Sequence, residues 1–141
     1  MEDCVFCAIV ERRTPARFVL ETAEVVCFFP LEPEIPGHTL IVSRRHYHDV
    51  MDAPTALGEA VFTAAQALAA RYRDALGATG FNLLHATGAA AGQSVPHLHF
   101  HFMPRFEGDG LKLRPELPGS TVDLDEMLKW VTDEGSDDTS G

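Results

Sequence analysis

A chain of 141 residues, 45% apolar and 23% charged, has the size and balance of one soluble globular domain, and it contains no apolar run long enough to span a bilayer. Its net charge of −10 argues against a nucleic-acid backbone as partner, because such binders cluster Lys and Arg. The opening MEDCVFCAIV is too short and too acidic for a signal peptide, and three cysteines point to a metal or free thiols before disulfides, so the expected setting is the cytoplasm, with no membrane partner.

In chain order, CVFCAIV fits one short helix. ARFVLET and EVVCFFP carry the apolar pattern of strands, with Thr22 and Ala23 as the turn between them. LEPEIPG is a proline-rich loop ending at Gly37, and His38 to Ser43 forms a third strand. Asp52 is the N-cap candidate of a long helix, followed by Pro54 near its first turn. Leu57, Val61, Ala64, Leu68, Tyr72 and Leu76 then recur at helical spacing, and Gly77 stands where a capping glycine belongs. Gly80 to Ala86 is a fourth strand, GAAAGQS a small-residue loop and HLHFHFMP a fifth strand. DLDEMLKWV gives a short last helix, with Asp123 and Glu126 in a capping-box arrangement. One folded domain is expected over residues 1–132 and a disordered acidic tail over 133–141. The tail holds Asp133, Glu134, Asp137 and Asp138, and without these four the charge is still −6. Hairpin-linked strands with one inserted long helix read as an α+β fold, an antiparallel sheet of about five strands covered on one face.

VPHLHFHFMPR places His97, His99 and His101 on one face of the fifth strand, while Leu98, Phe100 and Phe102 suit the helix-covered face. A plain polar face needs no histidine, since Thr, Lys or Glu would serve. A single catalytic metal held by all three fits poorly. Alternate residues on a strand face lie about 6.6 Å apart, so His97 and His101 are about 13 Å apart at the backbone, whereas zinc ligands converge to about 2 Å from the ion. A central nucleophile flanked by groups that hold an anion fits better. A neutral imidazole attacks phosphorus through one ring nitrogen if the other keeps its proton on a fixed acceptor. Upstream, Gly92 and the N–H groups around Gln93 and Ser94, with the Ser94 hydroxyl, can cradle phosphate oxygens.

At these residues the chain resembles the histidine-triad (HIT) family. HLHFHFM matches its His-φ-His-φ-His-φ-φ signature, with φ apolar. IPGHTLIVSRRH resembles its Pro-Gly-His-x-Leu segment, with a second His eight residues on, and AGQSVPH its loop into the triad. The resemblance runs from about Cys4 to Arg105. It implies an α+β homodimer that hydrolyses or transfers nucleotides. His99 would attack the α-phosphorus of a nucleoside phosphoramidate or dinucleoside polyphosphate, with a nucleotidyl-histidine intermediate. The His97 carbonyl would orient His99, His38 and His101 would flank the phosphate, and Gly92, Gln93 and Ser94 would contact its oxygens. The rival from another class is a non-catalytic, zinc-stabilised module that binds a nucleotide without turnover.

Cys4-x-x-Cys7 alone has a redox pair as its rival, but the βαβ context of such a site is missing. Members of the family that open with this motif bind a structural zinc, which the resemblance carries over to Cys4, Cys7, His46 and His97. His48 is out of register and reads as surface, and Cys27 reads as core.

Two positions depart from the family pattern. Pro30, eight residues before His38, stands where an Asp or Asn usually binds ribose hydroxyls; Ala86, seven before Gln93, stands where Asn or Gln is usual. Glu32 or Glu34 could supply the ribose contact from the same loop. Pro104-Arg105 resembles the branch that cleaves dinucleoside polyphosphates, where Arg105 would bind a longer phosphate chain. The segment from Glu107 to Gly119 offers no second nucleoside site.

Overall fold

A computed structural model describes residues 3–112 and 116–132. The acidic tail over 133–141 lies outside them. The chain divides into two units, Met1–Asp109 and Gly110–Gly141.

The first unit holds five strands in one antiparallel sheet: β1 (Phe18–Glu21), β2 (Val25–Phe28), β3 (Thr39–Ser43), β4 (Gly80–Leu84) and β5 (His99–Arg105), in the order β1-β2-β3-β5-β4. The α+β expectation holds. The register sorts side chains strictly by face. Cys27, Ile41 and Phe100 stand opposite one another, and on this side Val25, Phe102 and Leu98 join Leu57, Val61, Ala64, Leu68 and Tyr72 of the long helix α2 (Ala56–Leu76) in one core. Burying each such side chain contributes about 1.5–3 kcal/mol, which anchors α2 to the sheet. The other face carries Val26, Phe28, Leu40 and Val42, packed against Phe6 of the short helix α1 (Val5–Val10). Val42 pairs with His99 and Leu40 with His101, so the histidines share this second face.

Three boundaries differ from expectation. The cap of α2 is Thr55, not Asp52. The Asp52 carboxylate accepts instead from the His48 and Asp49 N–H groups, closing the loop ahead of the helix. The helix ends as expected at Gly77, where the Ala78 N–H reaches back to the Tyr72 carbonyl. β4 stops at Leu84, and β5 begins at His99 rather than His97. Gly37 turns the chain into β3 at φ +84°, with Pro104 so close that an added Cβ would lie 2.6 Å from its Cγ.

In the second unit, helix α3 (Leu124–Val131) is capped by Asp123, which accepts from the Asp125 N–H. Among the described residues, no helix is long and apolar enough to cross a membrane.

Candidate active site and metal centre

Three imidazoles of the site have their tautomers fixed by neighbours. His99 Nδ1 lies 2.7 Å from the His97 carbonyl, which can only accept, so Nδ1 carries the proton and Nε2 keeps its lone pair. The Glu34 N–H donates to His38 Nδ1 at 3.0 Å. His38 therefore carries its proton on Nε2 and donates it to His101 Nδ1 at 2.9 Å. That leaves His101 with an Nε2–H to offer to an oxygen. Glu34 thus enters the site through its backbone N–H, and its carboxylate is near enough to act on His38 and His101.

Burial pushes His99 and His38 below the usual imidazole range. Burial, with His99 and His38 alongside, takes His101 down to about 4. All three are neutral at pH 7, which is the state a nucleophile and a neutral donor require. Phe6 sets its edge against His99, with ring centroids 5.1 Å apart, and covers one side of the ring. Sequence reasoning passed over Phe6. Its signal was its position between the two cysteines.

His97 has left the strand. Pro96 and a bond from the Leu98 N–H to the Tyr47 carbonyl turn the chain, and His97 Nε2–H donates to the Ser43 carbonyl at 2.7 Å. Its Nδ1 is thereby aimed at Cys4 Sγ (3.2 Å) and Cys7 Sγ (3.5 Å), while His46 Nδ1 lies 3.3 Å from Cys7 Sγ. The four ligand atoms of Cys4, Cys7, His46 and His97 all fall within 4.8 Å of one another. Tetrahedral zinc with bonds of about 2.0–2.3 Å sets ligand–ligand separations of about 3.3–3.8 Å, which the Cys4–His97, Cys7–His97 and Cys7–His46 pairs match. His97 is fully buried and its pKa is lowered by that burial, as a neutral ligand needs. Burial and the Cys4 sulfur push the Cys7 thiol up to about 11. A thiolate here requires a compensating cation, which a bound zinc would supply.

The phosphate-loop residues come out unevenly. Gly92 sits at φ +95°, a conformation suited to glycine, and ends a single 3₁₀ turn, Ala89–Ala91. The Gln93 side chain is spent on the loop itself: its oxygen accepts from the Gly88 N–H at 2.8 Å, and its amide donates to the His48 and Val95 carbonyls. These bonds clasp the loop closed around Gly88. Ser94 lines a cleft of about 1130 Å³ with Phe6, Ile9, Phe28, Pro30 and Leu40, on the histidine face. Glu32 lies on the same cleft. Arg105 stands apart. It is held by both Asp109 oxygens at 2.8 Å and by Asn82 at 2.9 Å, some six residues and about 20 Å along β5 from His99. It is not presented to the site, because Asp109 is placed by the Phe106 N–H to receive it. His48 is exposed beside Asp49, and Cys27 is core, as the sequence led us to expect.

Comparison with known proteins agrees with this geometry. A HIT domain model matches residues 11–108. An uncharacterized HIT-like protein of Methanocaldococcus jannaschii is 37% identical over 130 residues, 91% of this chain and 98% of that one. An adenosine 5'-monophosphoramidase of Saccharomyces cerevisiae is 32% identical over 127 residues, covering 89% and 77%. Among solved structures, a zinc-bound histidine triad family protein from Mycobacterium smegmatis superposes with a TM-score of 0.76 at 34% identity, covering 82% of this chain and 84% of that one.

Proposed function

The chain belongs to the HIT domain family, and from that premise we propose that it is a nucleotidyl hydrolase or transferase working through His99, with nucleoside phosphoramidates as its preferred class of substrate. The observation that carries this is the bond from His99 Nδ1 to the His97 carbonyl, which commits Nε2 to attack.

In the first step the Nε2 pair forms a bond to the α-phosphorus while the bond to the leaving group breaks, its electrons departing with that group. His101 Nε2–H and the N–H groups near Gly92 and Ser94 stabilise the charge on the phosphoryl oxygens. In the second, water takes the phosphorus, its proton passes to solvent, and the pair returns to Nε2. With His101 at about 4 the site has no strong acid to spare. The leaving nitrogen therefore takes a proton from solvent and departs as a neutral amine, or the leaving group is a stable anion. Polyphosphates meet the second condition, but the engagement of Arg105 by Asp109 and Asn82 withdraws the residue that would have held their longer chain. The similarity to a monophosphoramidase supports the same preference. Cys4, Cys7, His46 and His97 would hold a structural zinc that joins α1 to the catalytic segment. We place the protein in the cytoplasm, as a homodimer, on the same premise.

The test is turnover of adenosine phosphoramidate and of diadenosine polyphosphates by the wild type and by His99→Ala, with zinc measured on both. We expect phosphoramidate cleavage that falls at least about a thousandfold in the variant at unchanged zinc. Binding of nucleotide without turnover by the wild type would instead identify a non-catalytic module.

A further inference from the structure

We propose that His85 is a positioning residue for the nucleophile, tying the peptide of His99 to the loop that runs from Thr87 to Gln93. The carbonyls of Leu98 and His99 point to opposite neighbours. Leu98 accepts from Ser43 on the β3 side, at 3.3 Å, and His99 turns to the β4 side. The β4–β5 ladder has stopped there, its last pair being Leu84 and His101. In place of the next strand N–H stands an imidazole: His85 Nδ1 lies 3.0 Å from the His99 carbonyl. A carbonyl only accepts, so Nδ1 carries the proton, and Nε2 accepts from the Thr87 hydroxyl at 2.7 Å.

The ring is fixed in this bridge by stacking on Phe100, at 4.6 Å between centroids and 30° between planes. Phe100 packs on the α2 core, so His85 works from the sheet face opposite the catalytic rings. It touches no reacting atom. Thr87 precedes Gly88, whose N–H is gripped by the Gln93 side chain, so one chain of bonds links the loop to the nucleophile's own backbone. A displacement of about 1 Å between nucleophile and phosphate loop is enough to cost one or two orders of magnitude in rate.

The inference rests on the reading of His99 given above, and its test keeps the two apart. In the full-length, zinc-loaded protein we expect His85→Ala to lower kcat for adenosine phosphoramidate about tenfold, with KM within about twofold. Asn places its amide nitrogen where His85 has Nδ1, so His85→Asn should return kcat to within about threefold of the wild type. Gln places its nitrogen at the Nε2 position, so His85→Gln should behave as Ala. Three variants alike, or an effect carried by KM, would overturn the proposal. Amide spectra of ¹⁵N-labelled protein supply a readout independent of substrate. The His99 and 87–93 amides should shift in Ala and Gln but not in Asn. Thr87→Val, which replaces the hydroxyl by a methyl group, should move the loop amides. Unchanged spectra in all four variants would sink the positioning role even with an active enzyme. A wild type that turns nothing over, with spectra responding in the stated order, would sink the proposed chemistry alone.

Discussion

His38 Nε2 and His101 Nδ1 lie 2.9 Å apart and share one proton, which belongs to His38 because the Glu34 N–H already occupies its other nitrogen. The pair is stable only while both rings are uncharged. This sets the protein's response to acid. An imidazole in the unfolded chain takes its proton near pH 6.5, whereas folded His101 resists until about 4. Between those values the unfolded state binds more protons, so the contribution is complete above pH 6.5 and drains away as pH falls toward 4. Urea midpoints at about pH 7 and about pH 5 should therefore separate in the wild type, and His101→Asn should narrow the gap. An equal gap in both would remove His101 as the cause.

The cluster of Cys4, Cys7, His46 and His97 joins residue 4 to residue 97, and loss of a zinc held there should be felt as stability. Zinc a thousandfold above its Kd contributes about 4 kcal/mol, and its removal by a chelator should lower Tm by about 10–20 °C. Cys7→Ser should lose the ion and show no further drop on chelation. A chelated wild type with unchanged Tm would mean that the buried thiols and imidazoles hold α1 without an ion.

Gln93 gives a sharper test of its clasp, because its two ends do different things. Gln93→Ala should destabilise the protein by about 1–3 kcal/mol, the Gly88 N–H and two carbonyls losing their partner. Gln93→Glu keeps the acceptor for Gly88 but sets a carboxylate against the His48 and Val95 carbonyls. It should be worse than Ala in thermal melts. Glu equal to wild type would show that the amide donor is not used.

At Gly37 the left-handed backbone and the nearness of Pro104 act together. Gly37→Ala should cost at least about 1–2 kcal/mol from the backbone alone. Because His38 follows directly, turnover should fall more than stability. A variant as stable and active as the wild type would show that the turn can relax around a methyl group.

The faces of the sheet were legible in the sequence because alternation at period two is a local property: Leu98, Phe100 and Phe102 declared one side and the histidines the other. So was α2, whose apolar stripe and Gly77 are likewise local. The place of His97 beside the two cysteines was legible only by resemblance. Its exit from the strand depends on carbonyls of Ser43 and Tyr47, some fifty residues away, which no pattern around Pro96 reveals. The partners of Arg105 were not legible for a different reason. Its partner Asp109 stands only four residues on, but a basic residue after the triad suggested phosphate more strongly than an intrachain ion pair. Gln93 was legible as part of the loop, but not its bonds to Gly88 and His48, since a polar side chain there can face outward or inward to backbone. His85 carried no signal in the sequence beyond its place beside Ala86.

The sequence separation of the metal ligands has a consequence for synthesis. Cys4 and Cys7 leave the ribosome first, and His97 is made ninety-three residues after Cys4. Until that stretch has emerged and β3 has paired with β5, the growing chain can offer zinc two thiols and, later, His46, but not a closed tetrahedron. An ion bound by these four residues could complete its coordination only when the segment bearing His97 and His99 has docked, so full occupancy would mark a chain in which that segment is in place.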